Sequence, residues 1–298
     1  MMRVGTAGDA ACYGMIEMVE RNAEKQCANI YKFTQAETVE ELREQFTEGN
    51  LDIAVLPTNV AAQMYNTESK KLKVVALSAI GSFSLLEGSV SLSADDHTPI
   101  ESIEDISGRA IFAAGSGGGV QCVIDYLLAS GDVSNTSVVY KDGSELTALL
   151  LDGGIELVVL PQPYATSVTL KDDSITEPLD IAEEWEKATD GAIMATDCII
   201  VSVDFLEKNK GAVDKFLDDY KLSADYISSN ASQAAELSEK QGLLTQQVAE
   251  SVLPESGIVC MSGQEMKDAV SSYLDALATS HPDLVGGKTP DASFYYLP

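Results

Sequence analysis

The clearest structural signal in this sequence is the segment Gly49-Asn50-Leu51-Asp52-Ile53-Ala54-Val55-Leu56-Pro57-Thr58-Asn59-Val60-Ala61. Its central apolar run, bounded by Gly and Pro, is typical of a β-strand buried on both faces. Proline has no N–H to donate to a neighbouring strand, so Pro57 ends the strand and begins a loop. In open α/β sheets, ligands bind at the loops that follow the carboxyl ends of strands. The segment therefore predicts an α/β sheet with a candidate binding loop after Pro57.

A second copy of this pattern follows as Gly153-Gly154-Ile155-Glu156-Leu157-Val158-Val159-Leu160-Pro161-Gln162-Pro163-Tyr164-Ala165. Pro161 follows Pro57 by 104 positions, and the two copies align without a gap. A helix-like run with Glu-Leu in register precedes each copy, at 39–46 and at 143–150. We therefore expect two similar α/β lobes that share a cleft. The alternative is a likeness that any two α/β segments would show.

Composition limits the possible functions. The chain has 298 residues, a formal net charge of −28 and 45% hydrophobic residues, which suits two domains with real cores. A field this negative repels nucleic acid, so we expect no nucleic-acid partner. The five cysteines form no C-x-x-C pair and there are two histidines. We therefore expect no disulfide framework, no metal site and no cofactor.

The sequence contains no apolar run near the ~20 residues that span a bilayer. Its first residues, Met1-Met2-Arg3-Val4, lead directly into a predicted strand, without a signal peptide. Either the protein is cytosolic, or an export or lipid-anchor segment has been removed.

Extended runs at 74–84 and 193–203 predict two crossings between the lobes, with residues 84–93 continuing the first crossing as a strand. The predicted division is lobe one at 1–83 plus 203–298 and lobe two at 84–202. Four helix-patterned segments are expected near the end of the chain, at 204–230, 231–241, 243–253 and 262–280.

Several motifs follow one another in a recognisable order: Val4-Gly5-Thr6, Asp52-Ile53-Ala54-Val55-Leu56-Pro57-Thr58-Asn59, Ser102-Ile103-Glu104-Asp105-Ile106-Ser107-Gly108, Leu160-Pro161-Gln162-Pro163 and Glu183-Glu184-Trp185-Glu186-Lys187. This order, over nearly the whole chain, resembles substrate-binding proteins of ABC transporters. The branch it is most similar to is the nitrate/sulfonate/taurine and thiamine-precursor (pyrimidine) group. The resemblance implies an α/β, two-lobed type II periplasmic-binding-protein fold with two crossover strands and a central ligand cleft.

The resemblance also implies a function. Such a protein is the extracytoplasmic solute-binding component of an ABC importer. It acts as a monomer, clamps a small solute by hinge closure and delivers it to a membrane permease. It is periplasmic or, as a lipoprotein, anchored outside the membrane.

Candidate ligand-binding residues lie in loops at the predicted strand ends. Two of these loops precede helix N-termini, whose free N–H groups bind polar ligand atoms. The first loop supplies Thr6, Gly8, Asp9, Cys12 and Tyr13, and the second supplies Ser116, Gly117, Gly118 and Gly119. Other strand ends supply Thr58, Asn59, Gln162 and Tyr164, and the crossings supply Gly81, Ser82 and Thr196. For each of these residues the alternative is a role as a turn or helix cap.

The predicted binding loops contain no Lys or Arg. Asp9 is suited to pair with an amine, and Tyr13 and Tyr164 are suited to sandwich a flat ring. We therefore predict a neutral or amine-bearing solute, heteroaromatic ones included. The alternative is a taurine-like sulfonate held by helix N-termini and hydroxyls, without the Arg fork that many anion sites use.

A pyrimidine-precursor-type enzyme on the same fold is a less favoured alternative, since such enzymes need a catalytic His and a cysteine-rich motif. His97 and His281 do not adjoin a predicted cleft loop. In this alternative Cys12 and Cys122 both face the cleft at helix N-termini, where a thiolate is favoured, but no His is at hand to activate them. A ligand-sensing half of a regulator would require a DNA-binding or membrane segment. We predict a binding protein without catalytic residues.

Overall fold

A computed structural model of the protein describes residues 1–7, 10–68, 71–81, 83–94, 97–115 and 119–298. The described residues form eleven β-strands: β1 (Met2–Ala7), β2 (Tyr31–Ala36), β3 (Ile53–Pro57), β4 (Leu72–Ala79), β5 (Phe83–Glu87), β6 (Ala110–Ala114), β7 (Ser137–Lys141), β8 (Leu157–Pro161), β9 (Thr176–Asp180), β10 (Asp197–Ser202) and β11 (Ile258–Ser262).

The same residues form thirteen α-helices: α1 (Ala10–Tyr13), α2 (Ile16–Ala23), α3 (Val39–Thr47), α4 (Thr58–Thr67), α5 (Ser89–Leu92), α6 (Gly119–Ser130), α7 (Gly143–Leu151), α8 (Tyr164–Thr169), α9 (Ile181–Ala188), α10 (Val203–Ser229), α11 (Ala231–Lys240), α12 (Gln246–Val252) and α13 (Gly263–Ser280). Several begin at side chains that accept hydrogen bonds from free N–H groups of the first turn. Thr38 Oγ1 accepts from the N–H of Glu41 at 3.1 Å, and an Asp142 carboxylate oxygen accepts from the N–H of Ser144 at 2.8 Å.

The strands form two sheets with matching topology. The six-stranded sheet has the order β11-β4-β10-β3-β1-β2, and the five-stranded sheet has the order β7-β6-β8-β5-β9. In each sheet three neighbours are parallel (β2, β1 and β3; β7, β6 and β8), and the next strand, β10 or β5, is antiparallel. We call the parts of the molecule built around these sheets the first and the second lobe. The matching order fits the sequence duplication around Pro57 and Pro161.

Both copies of the repeated strand are buried on both faces. In β3, Ala54 and Leu56 belong to one apolar cluster, whereas Ile53 and Val55 belong to another on the opposite face. In β8 the side chains alternate in the same way between the first cluster and a third one. Alternate side chains of a strand point to opposite faces, so a continuous apolar run can be buried only by packing elements on both sides.

The α/β class predicted from the sequence is confirmed, and helices α10, α11, α12 and α13 correspond to the four predicted C-terminal segments, with α10 beginning one residue earlier, at Val203. The predicted strand at 84–93 is wrong beyond Glu87, because β5 ends there and residues Ser89–Leu92 are helical, with Gly88 as their N-cap. Strand β11 was not predicted. The division into domains stays a prediction; β10, which lies within 84–202, pairs with β3 and β4 in the six-stranded sheet.

Candidate functional site

The candidate site lies where the two lobes face each other, at the carboxyl ends of the parallel strands. Pro57 leads directly into α4, and Pro161 leads into α8 through the cis Gln162–Pro163 peptide. Helix α12, which follows the first-lobe helices in the chain, packs against α8 of the second lobe. Residues far apart in sequence therefore meet at this boundary.

The larger of two cavities here has a volume of about 640 Å³. Its first-lobe wall consists of residues from α1, β2 and the turn after α11, and its second-lobe wall consists of residues from α7, α8 and the turn after α8. The lining residues are Tyr13, Gln35, Ser144, Thr147, Ala148, Leu151, Pro163, Tyr164, Ser167, Lys171, Gly242, Leu243 and Leu244. The cavity is thus lined by both lobes, as a solute held between them requires.

A smaller cavity of about 290 Å³ adjoins it in the first lobe. Gln35 and Leu243 line both cavities, so the two are neighbours. Predicted residues Thr6 and Cys12 line the smaller one. The Cys12 thiol lies 3.1 Å from Thr6 Oγ1. We call the two cavities together the interlobe cleft.

The cleft lining is almost uncharged. Among the described residues that line the two cavities, Lys171 is the one charged side chain. Its ammonium has no ion-pair or hydrogen-bond partner in the described part of the chain. Lys171 is exposed, and its positive charge attracts an anionic group at this part of the cleft against the overall net charge of −28.

Two predicted aromatic residues line the larger cavity from opposite lobes. Tyr13, in α1, is 3% exposed and packs in an apolar cluster with Ile16 and Ile227. The Tyr164 ring packs against Gly143, at the first position of α7, where an added Cβ would lie 3.0 Å from the ring. This close packing holds the Tyr164 ring at the cavity wall.

Other predicted residues lie at the crossings between lobes. The Thr58 N–H donates to the carbonyl of Thr196 at 2.9 Å, and Thr196 Oγ1 donates to the carbonyl of Ala79 at 3.1 Å. The Gly81 N–H donates to the carbonyl of Met194 at 2.9 Å. The second and third bonds join the outgoing and returning crossings, and the first joins the start of α4 to the returning crossing. These hydrogen-bonding groups therefore have structural partners.

The remaining predicted residues differ in where they lie, and several fall outside the described residues. Gln162 caps α8, where its Oε1 accepts from the N–H of Thr166 at 3.3 Å. Asn59 and Gly119 lie close together where α4 of the first lobe approaches α6 of the second. The others lie outside the described residues: Gly8, Asp9, Ser82, Ser116, Gly117 and Gly118. The binding roles of all of these residues stay predictions.

The enzyme alternative in which both thiols face the cleft is wrong for Cys122. That residue is fully buried in the core, and burial, together with the charge of Asp125, raises the pKa of its thiol to about 12. A thiol with so high a pKa stays protonated at neutral pH and is a poor nucleophile. His281 Nε2 lies 2.9 Å from Asp125 Oδ2, and neither residue lines the two cavities.

Most residues that line the cleft were not among the predicted site residues, and Gln35, Lys171 and Leu243 are three of these. A signal for Gln35 was available, because it lies near the carboxyl end of β2, which runs parallel to β1. Lys171 follows α8 and Leu243 follows α11. They reach the cleft through helix packing, which no local pattern reports.

None of the described helices is both long enough and apolar enough to cross a membrane. The described residues also contain no group of three or more His, Cys, Asp or Glu side chains placed to hold a metal ion.

Comparison with known proteins shows which solved structures and which protein family this chain resembles. The structure is similar to an ABC transporter protein of Parabacteroides distasonis, with a TM-score of 0.80 and 21% identity over 99% of this chain and 98% of that one. It is similar to the periplasmic aliphatic sulphonate binding protein SsuA of Escherichia coli, with a TM-score of 0.76 and 13% identity over 100% and 92% of the two chains.

A third similar structure is the alkanesulfonate-binding protein SsuA of Xanthomonas axonopodis pv. citri bound to MOPS, with a TM-score of 0.70 and 15% identity over 100% and 98%. These likenesses show the fold, which is that of the periplasmic binding proteins. A comparison with curated proteins gives no significant match.

The model of one protein family, described as NMT1/THI5 like, matches residues 35–234. The match includes both copies of the Leu-Pro segment and both crossings between the lobes. Because it covers about two thirds of the chain, this protein belongs to the NMT1/THI5-like family.

Proposed function

We propose that this protein is the extracytoplasmic solute-binding component of an ABC importer. The observation that carries the proposal is the interlobe cleft, whose larger cavity is lined by α1 and β2 of one lobe and by α7 and α8 of the other. A solute held there contacts both lobes, so its binding energy favours a closed arrangement over an open one. The folds of the sulfonate-binding neighbours support the same conclusion.

In this proposal the protein acts as a monomer, exported or held by a lipid anchor outside the membrane. Closure about the two crossings traps the solute, and the closed lobes present it to a permease. The hydrogen bonds from Thr196 to Ala79 and from Gly81 to Met194 tie the crossings together. Motion is therefore expected as rotation of the lobes about this joint.

The first candidate ligand is a neutral or amine-bearing solute, heteroaromatic ones included. The larger cavity supports it through two aromatic side chains, Tyr13 and Tyr164, and through the hydroxyls of Ser144 and Ser167. Flat rings bind well between aromatic side chains, and a few polar groups then fix their orientation.

The second candidate is a sulfonate-type anion, which one specific observation favours. Lys171 brings an unpaired positive charge to a lining without acidic residues among those described. Two structural neighbours are sulfonate-binding proteins. The cavity of about 640 Å³ also exceeds what a solute as small as taurine fills, so a bulkier sulfonate fits better.

A thermal-shift screen tests both candidates. It covers heteroaromatic amines, pyrimidines, amino acids, taurine, longer alkanesulfonates and nitrate. A true ligand raises the free energy of unfolding, and with it the melting temperature. The increase depends on the ligand concentration relative to Kd and is about 2.7 kcal/mol at 100 Kd. The screen is repeated with Tyr164→Ala and Lys171→Met. The matched controls are Tyr140→Ala, also half-buried in the second lobe, and Lys221→Met on the surface of α10.

The first candidate is supported if an amine or heteroaromatic compound raises the melting temperature, and if this increase is lost in Tyr164→Ala but kept in Lys171→Met. A shift by sulfonates that Lys171→Met abolishes supports the second. The two control variants should leave either shift unchanged. If no compound stabilises the wild-type protein, the proposed transport function loses its support.

A further inference from the structure

Two buried polar atoms without partners lie at the start of helix α6. Asn59 is 1% exposed and Tyr273 is fully buried. Neither Asn59 Oδ1 nor the Tyr273 hydroxyl has a hydrogen-bond partner in the described part of the chain. Burying such a group without a partner is unfavourable, and native proteins rarely retain one without a reason.

Both atoms border the same space. A Cβ built on Gly119 would lie 3.4 Å from the Tyr273 hydroxyl and 4.0 Å from Asn59 Oδ1, at ordinary contact distances. No other described atom outside the neighbouring residues and the helix's own backbone lies within 4 Å of that point. The absence of a side chain at Gly119 therefore leaves room beside the two polar atoms.

The first turn of α6 adds donors to this space. Gly119 is the first residue of a twelve-residue helix, and the first N–H groups of a helix have no partner within it. They carry the positive end of the helix dipole. The space thus combines backbone donors, a hydroxyl and a carbonyl-type acceptor from Asn59.

Aromatic packing fixes the position of the Tyr273 hydroxyl. The ring of Tyr273 contacts that of Trp185 at a centroid distance of 5.3 Å, and Trp185 contacts Tyr126 at 5.0 Å. Trp185, like Tyr273, is fully buried. The burial also raises the pKa of Tyr273 well above its usual value, so the hydroxyl remains a neutral donor. It cannot turn to water without unpacking the boundary between α6, α9 and α13.

We propose that Asn59, Tyr273 and the first turn of α6 form a subsite for an amide or lactam group of the solute, an inference that rests on the proposed binding function. The carbonyl oxygen of such a group accepts from the Tyr273 hydroxyl and the α6 N–H groups. Its N–H donates to Asn59 Oδ1. Asn59 Oδ1 and the Tyr273 hydroxyl then each gain a partner when the solute binds, which makes the subsite selective for a carbonyl next to an N–H.

Two substitutions test the subsite without removing its scaffold. Gly119→Ala puts a methyl group into the space; its backbone is not left-handed, and Ala favours helix over Gly. Tyr273→Phe keeps the ring and removes the hydroxyl. The matched control is Gly211→Ala, which adds a methyl group to α10 where no atom lies within 4 Å. All three variants are expected to melt at or above the wild-type temperature.

The probes are 2-piperidone, benzamide, uracil and glutamine. Each is paired with a counterpart whose amide nitrogens are fully methylated and carry no N–H: N-methyl-2-piperidone, N,N-dimethylbenzamide, 1,3-dimethyluracil and the N,N-dimethylamide of glutamine. Isothermal titration should show that at least one N–H probe binds the wild type and that its methylated partner binds at least tenfold more weakly. Tyr273→Phe should weaken binding about tenfold or more, as expected for losing a buried hydrogen bond of about 1.4 kcal/mol. Gly119→Ala should weaken binding at least as much, because its methyl group occupies the position of the solute. Gly211→Ala should bind as the wild type does.

Two results would overturn the inference while leaving the proposed function intact. One is equal binding by wild type, Gly119→Ala and Tyr273→Phe, which would mean that an internal water satisfies the two groups. In the other result, the wild-type protein binds compounds of the thermal-shift screen, but it binds each N–H probe no more tightly than the methylated counterpart of that probe. A wild type that binds no compound in either set would remove the proposed function together with the subsite.

Discussion

Asp52 shows how one carboxylate joins three strands of the first sheet, at the edge away from the cleft. Its side chain is 7% exposed, and its Oδ2 accepts from the backbone N–H of Arg3 at 2.8 Å and from Arg3 Nε at 3.1 Å. Its own N–H donates to the carbonyl of Arg3, and its carbonyl accepts from the N–H of Ser202. The starts of β1 and β3 and the end of β10 therefore meet at this residue.

We expect Asp52→Ala to lower the free energy of unfolding by about 1–3 kcal/mol, because it leaves a half-buried N–H and a partly exposed guanidinium without their partner. Urea unfolding measures the loss. The control is Asp225→Ala, which removes an exposed pair with Lys221 on α10 and should change stability little. Equal losses in the two variants would contradict the structural role of Asp52.

At the scale of elements, the turn before β11 is packed against the first crossing between lobes. Gly257 has a φ of +65°, in the left-handed region that favours glycine. Its carbonyl accepts from the N–H of Ile80 at 2.9 Å, and a Cβ on Gly257 would overlap the carbonyl oxygen of Ile80. Strand β11 and the crossing can approach this closely only with glycine at this position.

Gly257→Ala should therefore destabilise the protein by more than about 3 kcal/mol, since it adds a steric clash to backbone strain. Gly49→Ala isolates the strain alone: its φ is +76°, but no atom lies within 4 Å of its added Cβ. We expect that variant to lose about 1–2 kcal/mol. Chemical denaturation of both variants gives the comparison, and a loss at position 257 no larger than that at 49 would argue against the close contact.

At the scale of the whole molecule, burial makes the fold sensitive to alkaline pH. Burial raises the pKa values of several acids above their usual values near 9 and 10: to about 11 for Cys27 and Cys260, and to about 12 for Cys122, Tyr65, Tyr295 and Tyr296. Between the unfolded and folded pKa values, the unfolded chain loses these protons while the folded one keeps them. Stability is thus fully present below about pH 9 and falls as the pH rises.

Urea unfolding at pH 8, 9, 10 and 11 should show a free energy of unfolding that decreases steadily above pH 9. The net charge of −28 adds repulsion in the same direction as further groups ionise. In Cys122→Ala the decrease between pH 9 and 11 should be smaller than in the wild type. A free energy that stays constant from pH 8 to 11 would show that these groups titrate alike in both states.

The repeated Leu-Pro segments show why much of the fold was predictable. A run such as Ile53–Leu56 can be buried on both faces only in a covered sheet, so its apolar continuity predicts the layer arrangement directly. The prediction failed where a strand stopped without a strong signal, at 84–93. Gly88 is still extended and is the N-cap of the short helix Ser89–Leu92, whose polar and apolar residues suit a short helix as well as a strand.

The sequence by itself determined the two α/β lobes, the loops at their strand ends and the family, because each depends on local pattern and on the order of motifs along the chain. Only the tertiary structure decided which side chains meet. Lys171 reaches the cleft through the packing of α8, and Tyr273 reaches Gly119 and Asn59 through the packing of α13 against α6 and α4. Such contacts join residues that are distant in sequence, and they form because helices that cover different sheets are pressed together along one shared apolar core.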